Sequence, residues 1–132
     1  MFVDASAMVA ILTREPEADE LIGRLDDAGA AVTSPIAVFE AVLGISRKRH
    51  ASVDEAKQDL ADFLGAAKIS LVPITEKDAA IALDAFARYG KGKGHPAQLN
   101  LGDCFAYAVA KNHAVTLLFK GNDFDKTDID LV

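Results

Sequence analysis

Apolar residues along the chain fall into two rhythms that alternate: short unbroken runs, and longer segments with helical spacing. Phe2-Val3 ahead of Asp4 reads as a short buried strand over residues 1 to 4. Ala5 to Thr13 continues as a helix with Met8, Val9, Ile11 and Leu12 available for packing. Glu15-Pro16-Glu17 predicts a second helix with proline in its tolerated first turn, running to about Asp27. That helix places Ala18, Leu21, Ile22 and Leu25 on one face, and Gly29 stops it before the strand Ala31-Val32-Thr33. Ser34 is a good N-cap and Pro35 fits the first helical position, so Ile36 to Arg49 is a long helix with an apolar face. Ser52 or Asp54 opens a further helix to about Ala67, Ile69 to Val72 reads as a strand, and Thr75 caps a helix through about Tyr89. Gly90 to Pro96 is expected to be a flexible loop, Asn100 opens a helix to about Asn112, and Val115 to Phe119 is the most convincing buried strand.

Strands alternating with helices predict an α/β domain rather than a bundle or a sandwich. At 132 residues the chain suits one domain, residues 1 to 132, with its own core and no repeat or linker. No uninterrupted apolar run approaches the roughly 20 residues of a membrane helix. Met1-Phe2-Val3-Asp4 puts a carboxylate where an export signal needs a basic and then a long apolar segment, so the expected compartment is cytoplasmic. The single Cys104 cannot form an internal disulfide and reads as a small buried hydrophobe. A formal charge of −6 speaks against nucleic-acid binding through a global positive field. That objection weakens if carboxylates share metal, since two divalent ions would leave about −2.

Four acids stand out because they interrupt or border strongly apolar segments: Asp4, Glu40, Asp103 and Asp123. In an open α/β sheet, ligand-binding groups collect beyond the carboxyl ends of parallel strands, so Asp4 and Asp123 can share a crevice that Glu40 and Asp103 complete from helices. Burying such carboxylates unpaired would cost several kcal/mol, and bound cations would resolve the repulsion. Each acid also has a bland reading: Asp4 as an N-cap, Asp103 as a first-turn charge on the helix dipole, Asp123 as an Asx-type turn. Glu40, on an apolar segment, needs a partner or an exposed face.

The ordered set of segments resembles the PIN-domain nucleases, and more closely the VapC toxins of bacterial toxin-antitoxin pairs, over nearly the whole chain. The segments are Phe2-Val3-Asp4-Ala5-Ser6-Ala7, Ser34-Pro35 with Phe39-Glu40, Leu101 to Ala108 around Asp103, and Leu118-Phe119-Lys120-Gly121-Asn122-Asp123-Phe124. The resemblance implies a three-layer α/β/α fold on a short, mainly parallel sheet. It also implies a Mg²⁺ site in which Mn²⁺ can substitute, and endoribonuclease activity leaving a 5′-phosphate and a 3′-hydroxyl. By matching motifs, Asp4, Glu40 and Asp103 carry over as metal-site acids with Asp123 as the fourth, Ser6 as a supporting hydroxyl, and Asn122 where close relatives often have another Asp. The implied partners are an RNA substrate, a VapB-type antitoxin that occludes the crevice, and a second copy in a homodimer. Asp4 and Asp103 are expected to bind the principal ion, with Glu40 and Asp123 holding a second ion or positioning water.

Lys91, Lys93 and Lys120 are the cations expected to meet RNA phosphates, whereas Arg47-Lys48-Arg49-His50 reads as a helix C-terminal charge cluster. The Gly90 to Gly94 spacing does not match an ATP phosphate loop, and the Asp123 to Asp128 stretch lacks the turn glycine and terminal Glu of a calcium loop. The three histidines have no metal-ligand spacing, and Phe105 and Tyr107 read as helix packing. An adhesion-type metal motif fails at Met8, where a second hydroxyl would be needed. The alternative that stays open is a catalytically weak or inactive PIN-like module that binds RNA or protein.

Overall fold

The protein, described by a computed structural model over residues 1–132, is built on a four-stranded, all-parallel sheet with helices layered on it. The strands are β1 (Phe2–Val3), β2 (Ala31–Thr33), β3 (Ile69–Leu71) and β4 (Leu117–Leu118), in the order β3-β2-β1-β4. Helices α1 (Ala5–Leu12) and α2 (Ala18–Asp27) connect β1 to β2, α3 (Pro35–Arg49) and α4 (Val53–Ala67) connect β2 to β3, and α5 (Glu76–Tyr89) and α6 (Leu101–Asn112) connect β3 to β4. The chain steps outward from β1 to β2 and β3, then returns to the other side of β1 for β4. The order therefore reverses between β1 and β4, where a parallel sheet opens its ligand crevice.

Strands β1 and β4 are buried on both faces, with Phe2, Val3, Leu117 and Leu118 having no exposed surface, whereas β3 at the sheet edge leaves Ser70 and Leu71 exposed. Phe2 pairs with Val32 on one side and Leu117 on the other, while Val3 pairs with Leu118. Thr33, the polar member of this layer, donates its hydroxyl to the Val3 carbonyl at 2.8 Å and so leaves no orphaned group in the core. The expected N-caps are in place, with Ser34, Ser52, Thr75 and Asn100 each accepting a backbone N–H from the first turn.

Three expectations are adjusted. Helix α2 starts at Ala18, because Arg14 takes a left-handed φ of 57° and Glu15 N–H turns back to the Ala10 carbonyl, leaving Pro16 and Glu17 in a turn. Strand β4 is shorter than Val115 to Phe119, since the Lys120 N–H leaves the ladder to bond the Ser6 hydroxyl at 2.9 Å. The Gly-rich loop is closed at its base, where Lys91 N–H bonds the Leu99 carbonyl and Leu99 N–H bonds that of Tyr89, both at 2.8 Å.

Helices α5 and α6 are joined through a residue that local pattern did not single out. Asp78 is fully buried and forms a capping box with Thr75, and its other oxygen accepts the Asn112 amide at 2.9 Å. One carboxylate thus ties the start of α5 to the end of α6. We predict that Asp78→Ala costs about 2 kcal/mol, because it removes a cap and strands the half-buried Asn112 amide donor. Thermal denaturation should show a fall of roughly 5 °C, with a smaller loss in Asp78→Asn.

Candidate functional site

Asp4 sits where β1 ends and α1 begins, and both neighbours fix it. Its backbone N–H donates to the Leu118 carbonyl at 3.0 Å, so the residue is held against the end of β4. Its carboxylate caps α1, with Oδ2 accepting the Ser6 N–H at 3.1 Å and the Ser6 hydroxyl at 2.6 Å. Ser6 Oγ in turn accepts the Lys120 N–H. The bland reading of Asp4 as an N-cap is therefore true, yet the carboxylate is 5% exposed and no cation pairs with it.

Asp103 lies in the first turn of α6 and shares a capping box with Asn100. Oδ2 accepts the Asn100 N–H at 3.0 Å, and Asn100 Oδ1 accepts the Asp103 N–H at 2.9 Å. Glu40 projects from the middle of α3 and meets α6 at Gly102. A methyl group on Gly102 would lie 2.2 Å from both Glu40 carboxylate oxygens, so the missing side chain is what lets that carboxylate reach this level. Asp123 is exposed in the turn after β4, next to Phe124, which is buried and packs edge-on against Phe119 with ring centres 5.1 Å apart.

The four acids share one electrostatic field. Burial raises the Asp4 carboxyl above its ordinary range, against the Ser6 bonds, and Asp123 adds repulsion. Burial also raises Glu40, with Asp4 adding repulsion. Asp103 is pushed up to about 7 by burial, partly opposed by the Asn100 bond and reinforced by repulsion from Asp4, Asp123 and Glu40. The acids are neighbours rather than a closed cage, as no three acidic, His or Cys side chains stand together tightly enough to form a ready-made metal site.

The other expected groups divide. Ser6 is in the network. Asn122 is exposed beside Lys120 and Gly121 at a shallow recess and makes no hydrogen bond to protein. Lys91 and Lys93 are exposed, with the Lys93 ammonium 5.3 Å from the centre of the Phe86 ring. Lys120 differs from expectation, because its ammonium is committed to Glu15 at 2.7 Å and Glu17 at 3.4 Å. Arg47, Lys48 and Arg49 stand in the last turn of α3 as expected, where Lys48 also pairs with Glu15 and Arg49 with Asp59. Cys104 is buried, and burial, with Asp103 adding to it, pushes its thiol up to about 11. Sequence reasoning missed Glu15 and Gly102. The glycine next to Asp103 was the one visible sign of a close approach.

With this geometry in view, the match of the PIN domain family to residues 1–130 is decisive, and the chain belongs to that family. Its sequence relatives within the family are VapC ribonucleases. A VapC ribonuclease of Rhizobium meliloti (strain 1021) is 48% identical, with 97% of this chain and 98% of the relative covered. Ribonuclease VapC of Mycolicibacterium smegmatis is 41% identical over 100% of this chain and 99% of its own. Among solved structures, Mycobacterium tuberculosis VapC20, a Sarcin-Ricin loop cleaving toxin, shares the fold with a TM-score of 0.78 and 17% identity, covering 99% of this chain and 97% of its own. A toxin-antitoxin complex from Klebsiella pneumoniae does so with a TM-score of 0.71 and 17% identity, covering 99% of this chain and 95% of that one.

The raised carboxyls set a direction for stability. The folded protein holds the Asp103 proton up to about pH 7, whereas the unfolded chain releases it near an ordinary carboxyl value of about 4. Between those values the folded state binds more protons, so stability falls as pH rises through the window; Asp4 and Glu40 act in the same direction. In EDTA we predict that Asp103→Asn raises the melting temperature by about 3 °C at pH 8, for about 1 kcal/mol of relieved repulsion. Near pH 4 the change should vanish.

Proposed function

We propose that the chain is the toxin of a toxin-antitoxin pair, an endoribonuclease that hydrolyses RNA phosphodiester bonds with divalent metal held by Asp4, Glu40, Asp103 and Asp123. One observation carries this reading: Asp4, Glu40 and Asp103 are buried or half-buried carboxylates that repel one another, with Asp123 near Asp4 and Asp103, and no protein cation pairs with any of the four beside the β1/β4 switch point. Their chemistry fits a hard ion such as Mg²⁺, with Mn²⁺ as a substitute, because all the donors are oxygens and Gly102 leaves Glu40 room to present its own. Bound there, the ion would stabilise charge on the scissile phosphate and favour formation of hydroxide. Asp4 and Asp103 would be its principal holders, while Glu40 and Asp123 would hold a second ion or orient the attacking water. Ser6 keeps Asp4 Oδ2 in one direction, and Asn122 lies beside Asp123 as a supporting polar group. Lys91 and Lys93, on their pinned loop, meet RNA phosphates.

An antitoxin that covers the crevice is the expected partner, supported by the toxin-antitoxin complex among the fold's neighbours. Exposed Phe39, Leu43, Leu83 and Leu101 on α3, α5 and α6 supply apolar surface for a homodimer. No helix is long and apolar enough to cross a membrane, and an RNA substrate fits a cytoplasmic site of action. The second reading, a catalytically weak module that binds RNA or protein, is favoured by the open spacing of the acids. It predicts RNA binding without cleavage at any Mg²⁺ concentration.

Purified protein should cut structured RNAs with Mg²⁺ or Mn²⁺ and stop in EDTA. Asp4→Asn and Asp103→Asn should each lose at least about 100-fold in rate, since removing even an outer-shell partner costs 10–100-fold. Equal cutting in every condition would defeat the mechanism. Because ligand carboxyls must be ionised, the Mg²⁺ required should fall between pH 6 and 8. Charge reversal at Lys91 and Lys93 together should weaken RNA binding and flatten its salt slope by about 1–2; an unchanged slope would remove both from the interface.

A further inference from the structure

The turn that carries Asp123 is fastened at two points, and the polar one leads to a residue with no role so far. On the apolar side Phe124 is buried against Phe119. On the polar side Lys120 is held twice: its N–H bonds Ser6 Oγ at 2.9 Å, and its ammonium reaches Glu15 Oε1 at 2.7 Å and Glu17 Oε2 at 3.4 Å. Glu15 is itself immobilised. Its N–H closes on the Ala10 carbonyl at 2.9 Å, and its Oε1 also accepts Lys48 Nζ, from the end of α3, at 2.7 Å. The Glu15 side chain is 17% exposed, and its two lysines hold the carboxyl below the usual range against the effect of burial. Between Lys120 and Asp123 the chain passes through Gly121 at a φ of 115°, a conformation with few restraints of its own.

We propose that Glu15 is a positioning residue for Asp123, acting through Lys120, and that Lys120 serves this strut rather than RNA. A continuous path runs from Asp4 through Ser6 and Lys120 to Glu15 and Lys48, so the segment bearing the fourth acid is indexed to the segment bearing the first. A partly exposed ion pair adds little to global stability. Its effect is geometric: without Glu15 the turn keeps the Ser6 bond, the Phe124 anchor and only the longer Lys120–Glu17 pair, and Asp123 drifts relative to Asp4 and Asp103. The kinetic part of the test rests on the ribonuclease reading and the binding part on its metal site; the exchange part rests on neither.

The experiment compares Glu15→Gln, Lys120→Met and the double variant with the unaltered protein. Amide hydrogen exchange over residues 119 to 124 should quicken about tenfold in each single variant, with the rest of the chain unchanged. Mn²⁺ binding by titration calorimetry should weaken in both, and the double variant should be no worse than either single one. On an RNA that the unaltered protein cuts, kcat should fall about tenfold with KM within about twofold, as a small misplacement of a reacting group predicts, and Lys120→Arg should recover most of the loss. If Lys120 instead meets RNA, the two variants move in opposite directions: Glu15→Gln frees the cation and lowers KM, while Lys120→Met raises KM and flattens the salt slope. That pattern, or unchanged exchange and Mn²⁺ binding in Glu15→Gln, overturns the proposal. If the unaltered protein cuts no RNA, the functional reading fails while exchange still decides the strut.

Discussion

Repulsion among four carboxylates at the β1/β4 junction is the constraint around which the rest of this small fold is arranged. Burial first, and repulsion second, raises the proton affinity of Asp4, Glu40 and Asp103, and the protein restrains these acids from several sides. Asp4 and Asp103 are each locked into a helix cap, so the acids that suffer most from burial also complete the backbone hydrogen bonding of α1 and α6. Their places at helix N-termini, Asp4 as the N-cap of α1 and Asp103 in the first turn of α6, offset part of the electrostatic penalty. Glu40 has no such bond, and it is accommodated by the absence of a side chain at Gly102.

Topology and electrostatics agree here. A parallel sheet leaves its crevice where strand order reverses, and that place is flanked by the ends of the first and last strands. Asp4 and Asp123 come to the crevice along the sheet, Glu40 and Asp103 from helices packed against each other at Gly102. The four are distant in sequence but each is delivered by a rigid element or a pinned turn, which is the condition for a site that binds ions without large rearrangement.

What could be read from the chain followed from how local its causes are. Ser34-Pro35, Ser52, Thr75 and Asn100 announce their helices because a cap is settled within four residues, and all of those helices begin as expected. The acids were legible because charges in apolar segments are costly enough to demand a reason. The end of β4, the start of α2, the closed base of the 90 to 99 loop and the pairing of Lys120 were not, since each is decided by a partner far along the chain: Ser6, Ala10, Leu99 and Glu15. Lys120 shows the limit well. A lysine three residues from an acid gives no sign in the sequence that the fold will bring two carboxylates to it.

The pairing of β1 with β4 makes the first residues of the chain depend on nearly the last. Asp4 is secured by the Leu118 carbonyl and by the segment that follows it, which also carries Asp123. A ribosome-bound chain therefore contains Asp4, Glu40 and Asp103 well before it can close the seam that sets them against the fourth acid. The complete crevice is thus assembled late, only once residues 117 to 123 have joined the sheet beside β1.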